Sequence, residues 1–486
     1  MSDTTQNDTP ATAPSTAAID ASCRWPLILF FGKGTGWLVL GTLLLLISSI
    51  KMHGPGFLGD TAWLGLGRVK PAATTALVYG FAMQFAFGIL LWMLCRLGRN
   101  HLLNAPFLFL AGMVWNLGIV LGFLGILGGA STGHAYMEMP KIAWPFVFVT
   151  LGLIALWGLL TFHNRRERTL YVSQWFLVVA LFWIVWVVSA ASYLLIFDPV
   201  RGVMQAVVGA WYAHNLYHLW LTPLGLAVLY YFIPKILNRP LYSRQMAIFG
   251  FWTFAFFAPW GGLVRLAGGP LPGWMTSLGI AATVMMILPL GCAAWNLCMT
   301  ARGGLKTARE NIIFRFIFCG GVALFLGWLL NILTAFRTVN AVTLFTFVPM
   351  AIDQLMLLGF FGMIAFGAAY YIVPRVSGVN WPSEKLADIH FLCSVGGVSL
   401  YVAGLLLAGL VQGMRLNHPE VEFMRAIKSS FPMIGLSTLA LLVFLAGQVA
   451  FWLNMQKLVC RLWCPLMKEC CATVGLCRSG KLEVEP

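Results

Sequence analysis

Charge is what this chain has least of: Asp, Glu, Lys and Arg make up 10% of 486 residues, and only 16 residues are acidic. Soluble domains carry about 25% charged residues, so a soluble globular fold is excluded. Disordered chains are poor in apolar residues, and this one is 60% hydrophobic. Histidine is sparse, eight in all, and none occurs between positions 219 and 389. No Cys-x-x-Cys-His string is present, so the chain has no recognisable site for attaching a c-type haem. Eleven cysteines in this length do not form the dense framework of a small secreted protein. Six are scattered, mostly in apolar runs. Five cluster at Cys460, Cys464, Cys470, Cys471 and Cys477. Their spacing fits no standard zinc pattern, which leaves free thiols, palmitoylation beside a membrane or an unconventional metal site.

What the chain does have is long apolar runs, with a mean hydropathy of +0.84. A helix needs about 20 apolar residues to cross the hydrocarbon core. Twelve runs qualify: 26–50, 72–98, 103–129, 142–163, 170–196, 203–235, 245–267, 273–299, 312–336, 341–374, 386–413 and 431–459. The expected fold class is therefore an all-α membrane protein of twelve transmembrane helices. Its parts are a disordered N-terminal tail (1–25), the transmembrane domain (26–459) and a Cys-rich C-terminal tail (460–486). The tail 1–25 lacks the apolar core of a signal peptide, so span 1 is expected to stay in the mature protein.

The net charge of +15 fits basic loops better than a nucleic-acid partner. The loops on one side, with the C-terminal tail, hold eighteen Lys and Arg, against nine on the other. The positive-inside rule then places both termini in the cytoplasm. Spans 6 and 10 end alike, in Tyr230-Tyr231-Phe232-Ile233-Pro234-Lys235 and Tyr370-Tyr371-Ile372-Val373-Pro374-Arg375. This reads as two matching membrane exits.

Ionisable groups inside a span are costly and so point to function. They are Lys33 in span 1, His214 and His218 in span 6, Arg265 in span 7 and Asp353 in span 10, with the polar Gln354 beside it. His214 and His218 are four residues apart and share a helix face. They can chelate one metal, face a cavity together, or simply bond to neighbouring helices.

At span 6 the chain resembles a known family. Trp211-Tyr212-Ala213-His214-Asn215, Leu221-Thr222 and the exit Tyr230 to Lys235 are similar to subunit I of cbb3-type cytochrome c oxidases, which are haem–copper oxygen reductases. Supporting likenesses are Gly67-Arg68-Val69-Lys70-Pro71, Asn238 to Ser243, Phe251-Trp252, Leu271-Pro272-Gly273-Trp274 and the Tyr371–Pro374 exit. The likeness covers about residues 26–459 and implies a haem–copper oxidase subunit I-like bundle in a bacterial inner (plasma) membrane. It also implies haem b, copper, and c-type cytochromes or other redox subunits as partners, besides the lipid bilayer.

The family's function rests on six histidines, and the resemblance assigns each a position. The span 2 haem ligand falls on Ala73. The three copper ligands fall on His214, Val264 and Arg265. The His-x-His of span 10 falls near Ile352 and Gln354, and an active-site tyrosine near Ala258. Only His214 is a histidine. Ala, Val and Ile have no lone pair to give a metal, and Arg cannot deprotonate to become a ligand. His218 adds one imidazole at most.

Vacated haem sites would cost about 24 cal/mol per Å³ of cavity, so refilling is expected. Phe254, Phe256, Phe257, Trp260, Phe345, Phe347, Phe360 and Phe361 are the candidates, although lipid-facing positions would suit them equally. If spans 7 and 10 share a cavity, Arg265 and Asp353 can pair there, since two charges inside a membrane offset one another. Asp353 projects about 100° from its flanking positions, so separate solvation is the alternative. Three functional readings follow: a degenerate oxidase subunit within a respiratory or electron-transfer complex, an active oxidase with non-standard ligands, or a transporter or ion pathway built on the fold.

Overall fold

The structure is a computed structural model that describes residues 14–304 and 309–473, with side chains to residue 463. Among the described residues, twelve helices are long and apolar enough to cross a membrane. They are α1 (Thr16–His53), α2 (Leu66–Gly98), α3 (Ala105–Gly128), α4 (Lys141–His163), α5 (Val172–Phe197), α6 (Met204–Leu237), α7 (Arg244–Leu266), α8 (Gly273–Ala301), α9 (Ile312–Ala335), α10 (Phe347–Ser377), α11 (Glu384–Leu416) and α12 (Phe423–Trp463).

Two boundaries differ from the sequence expectation. Residues 16–25, expected in the tail, are the first turns of α1. Ser15 caps them by accepting from the Ala18 amide at 3.2 Å. Asp20 then accepts from Trp92 Nε1 at 2.9 Å and pairs with Arg96 at 3.2 Å, and Arg24 Nε donates to the Val376 carbonyl at 2.9 Å. Polar composition misleads here because those few polar groups have buried partners on other helices. Span 10 is not continuous from 341. A short helix, Arg337–Thr343, precedes α10, and Thr346 starts α10 by capping the Val348 amide at 3.2 Å. Residues 1–13 of the expected tail lie outside the described residues, and Cys464, Cys470, Cys471 and Cys477 outside the described side chains; Cys460 is exposed.

The three helices α2, α6 and α10 are buried along nearly their whole membrane length, while the other nine bury between a third and just over half. An inner trio within an outer ring follows. A helix that is apolar all round belongs in such a core, and the close approach of α6 to α10 rests on glycine. At Gly225 of α6 a Cβ would collide with Phe360 of α10. Each inner helix also loosens into a π-helical stretch near mid-membrane: Ala76–Ala82, Leu216–Leu221 and Leu355–Gly362. Such stretches insert a residue, re-aim the side chains beside them and concentrate at functional sites.

The likeness between the exits of spans 6 and 10 extends beyond the exits. After α6, Ser243 caps α7 by accepting from the Met246 amide, and Asn296 of α8 closes the turn with bonds to both Ser243 N and Ser243 O at 3.0 and 2.7 Å. After α10, Ser383 caps α11, and Asn454 of α12 bonds to Ser383 N and Ser383 O at 3.1 and 3.0 Å. The same device, four helices apart, satisfies the orphaned groups of both turns.

Candidate functional site

The site forms where α6, the end of α7 and α10 meet. From Ala258 to Leu266, α7 tightens into a 3₁₀ helix, which is long for that geometry. It can lie against α6 because Gly261 and Gly262 carry no side chain. A Cβ on Gly261 would stand 2.7 Å from His214 Cε1, and one on Gly262 would stand 2.7 Å from His214 Cβ.

His214 Nε2 donates to the Ala258 carbonyl at 3.0 Å. His218 Nδ1 donates to the His214 carbonyl, also at 3.0 Å. The two rings stack with centroids 3.8 Å apart and planes 10° from parallel. A metal lies in the plane of each imidazole that binds it, about 2.0 Å from the nitrogen. Two nearly parallel planes this far apart do not meet at such a point, so the pair cannot share one metal in this arrangement. The cavity beside them has a volume of about 40 Å³ and is lined by Val264, Arg265, Ile352, Thr283, Asn331 and Trp328 among others. That admits a few waters at most and is far too small for a porphyrin.

Arg265, which also lines that cavity, meets Asp353 of α10. Nη1 donates to Oδ2 at 2.9 Å, and Nη2 donates to Oδ1 in a second, parallel bond. The pair is half-buried, with 27% of the arginine and 13% of the aspartate side chain exposed. The Tyr136 hydroxyl donates to the same Oδ2 at 3.0 Å. Tyr136 comes from the loop between α3 and α4, which folds back over the bundle with Met137 and Met139 fully buried beneath it. The Tyr79 hydroxyl of α2 donates to the Tyr136 carbonyl at 2.6 Å and bonds to the Tyr212 hydroxyl of α6. Burial first, and then the Asp353 carboxylate, raise the Tyr136 phenol well above its usual pKa.

Above the ion pair lies a cavity of about 340 Å³, lined by Lys70, Thr74, Glu138, Arg265, Asp353 and Gln354 among others. Glu138 Oε2 and Gln354 Oε1 are buried without a protein partner; the cavity has room for the water such groups need. Burial pushes the Glu138 carboxyl up to about 7, against the opposing pull of its own and the Tyr136 backbone amides and of Lys70.

Of the sequence-stated positions, the structure gathers His214, His218, Val264, Arg265 and Ile352 around one cavity, and Arg265, Asp353 and Gln354 around the next. Ala73 is fully buried in α2. The expected aromatic filling divides. Phe254, Phe360 and Phe361 are buried, but Phe256, Trp260 and Phe345 are 69%, 48% and 84% exposed and face outward. Aromatics of α2, α10 and α12 pack together in the core, as where Phe81 meets Phe85 and Phe366 at 4.8 and 5.7 Å, and Phe366 meets Phe451 at 5.5 Å. Sequence reasoning missed Tyr136, Tyr79, Tyr212, Glu138 and the Gly261–Gly262 pair. One signal was available: Tyr136-Met137-Glu138-Met139 is unusually apolar for a loop.

This arrangement is the fold of a haem–copper oxidase subunit I. A solved haem–copper terminal oxidase dimer superposes with a TM-score of 0.73 at 15% identity, covering 90% of this chain and 84% of that one. The model of the family described as cytochrome c and quinol oxidase polypeptide I matches residues 26–445, and the chain belongs to that family. It is 28% identical over 449 residues to a cytochrome c oxidase subunit 1 homolog of Azorhizobium caulinodans, covering 87% of this chain and 80% of the relative. It is 27% identical over 449 residues to the cbb3-type cytochrome c oxidase subunit CcoN1 of Stutzerimonas stutzeri, covering 87% and 92%.

The family implies haem and copper, and the residues present do not fit them. Among the described residues, no group of three or more His, Cys, Asp or Glu side chains is placed to hold a metal. The His214 and His218 imidazoles are stacked, and the proton of His214 Nε2 is committed to Ala258.

Proposed function

We propose that this integral membrane protein is a degenerate subunit I, which keeps the oxidase bundle but carries no oxygen-reduction site of its own. The observation that supports it best is the bidentate Arg265–Asp353 pair. It engages Arg265, the residue that the resemblance aligns with a copper ligand, and an arginine cannot ligate a metal. The role left to such a chain is structural: a membrane partner for c-type cytochromes or other redox subunits of a respiratory complex in a bacterial inner membrane. The excess of Lys and Arg on one side supports an orientation with both termini in the cytoplasm. The test is a pyridine haemochrome spectrum with metal analysis on the purified chain. Near-zero haem b and copper is the expected result. Stoichiometric haem and copper would overturn the proposal, and the chain would then be assayed as an oxygen reductase.

A further inference from the structure

A second feature lies at the end of the bundle that carries Thr16, away from the site above. There the ends of α2, α5, α6 and α7 enclose a pocket of about 800 Å³ lined by Arg96, Arg99, Lys235, Arg239 and Arg244. Two of these cations are already paired, Arg96 with Asp20 at 3.2 Å and Arg99 with Glu167 at 3.5 Å. The other three have no carboxylate partner among the described residues. Lys235 Nζ donates to the Tyr231 hydroxyl at 2.7 Å, Arg239 to the Arg302 carbonyl and Arg244 to the Leu170 carbonyl at 3.1 Å. A fourth cation, Arg375, stacks 3.4 Å from the Tyr371 ring, whose centroid also lies 5.8 Å from Lys235 Nζ. Like charges held this close repel, and three or more of them converging on one concavity is a receptor for an anion.

We propose that this pocket binds the headgroup of an anionic phospholipid, with preference for one that bears two phosphates. Each phosphodiester carries one negative charge, so a single phosphate would leave two of the three uncompensated cations unmatched. Guanidinium groups suit phosphate because their parallel N–H donors match its oxygens. The amino ends of α5 and α7 also border the pocket, at Val172 and Arg244, and the positive end of a helix favours an anion. A lipid rather than a soluble phosphate is indicated by the walls. Leu97, Leu170, Val172 and Leu241 line the same pocket as the cations. In the next turns of α5 and α7, Trp175 and Trp252 pack with ring centroids 6.2 Å apart, and Trp252 is exposed. Tryptophan of this kind marks the membrane–water boundary, which is where basic pockets between helices bind lipid headgroups.

The test uses the delipidated full chain in detergent micelles, titrated with fluorescent diphosphatidylglycerol and read by energy transfer from tryptophan. The expected result is one saturable site per chain, displaced by unlabelled diphosphatidylglycerol and not by phosphatidylcholine. Replacing Lys235, Arg239 and Arg244 together by Gln should weaken binding about a hundredfold, at about fivefold per cation. Arg425→Gln with Lys428→Gln, in the α11–α12 connection, should leave it unchanged. Should the triple variant not fold, the exposed Arg239→Gln alone should still show the fivefold loss. Equal affinity for phosphatidylcholine, or unchanged affinity in the folded variants, would overturn the proposal. So would inorganic pyrophosphate competing as well as the lipid does, since the ligand would then be a soluble phosphate.

Discussion

The Arg265–Asp353 pair permits a quantitative test. At an effective dielectric of about 20, unit charges about 4 Å apart attract by about 4 kcal/mol. The pair is bidentate, with one contact at 2.9 Å, but the arginine is 27% exposed, so solvent screening lowers the expected coupling to about 2 kcal/mol. Arg265→Gln would leave the carboxylate only Tyr136 as a donor; Asp353→Asn would leave the guanidinium with no carboxylate in contact among the described residues. Each single substitution should cost about 3 kcal/mol, near the lower end for breaking a buried pair. The double variant should cost less than the sum of the two, by that coupling of about 2 kcal/mol. The assay is equilibrium unfolding in mixed micelles, following tryptophan fluorescence as the denaturing detergent fraction rises. Additive losses, with coupling below about 0.5 kcal/mol, would refute the reasoning that the two charges are retained for each other.

Gly261→Ala should destabilise the fold by about 1–3 kcal/mol, because its Cβ would stand 2.7 Å from His214 Cε1; Ala in place of the open-sided Gly152 should be near neutral in the same unfolding assay. For Glu138, a carboxyl raised from 4.5 to about 7 stabilises the fold fully below about pH 4.5, and that contribution is lost as the pH rises through 7. The melting temperature of the wild type should therefore fall between pH 5 and pH 8 by a component that Glu138→Gln removes; an identical fall in the variant would contradict the assignment. Asn296→Ala and Asn454→Ala each leave the turn at Ser243 or Ser383 with an unpaired amide and carbonyl. Each should cost about 1–3 kcal/mol, measured as a shift in the unfolding midpoint.

Twelve spans and a subunit I-like bundle were legible in the sequence because bilayer thickness sets a length and the lipid forbids unpaired backbone. Those constraints act locally, on runs of about 20 residues, and hydropathy reports them directly. The residue types at the motif positions were legible too, since whether a side chain carries a lone pair is a property of residue type. Element ends were less so. The start of α1 moved to Thr16 because Asp20 and Arg24 find partners on α2 and α10, and no window of sequence contains both members of such a pair.

By itself the sequence determined that this chain spans a membrane twelve times, belongs with the oxidase bundles, and has no histidine between positions 219 and 389. Only the tertiary structure decided how the candidate site is arranged. Arg265 and Asp353 are 88 positions apart, and the sequence left open whether they meet. Arg265 projects from the 3₁₀ winding of α7 and Asp353 from the regular turns of α10, and Gly261 and Gly262 set how near α7 comes to His214. The outward turn of Phe256, Trp260 and Phe345 was decided in the same way. An aromatic residue is equally at home against lipid and inside a core, so residue type alone cannot choose between the two faces. The choice rests on which helices are neighbours and on their rotation, and those are properties of the assembled bundle.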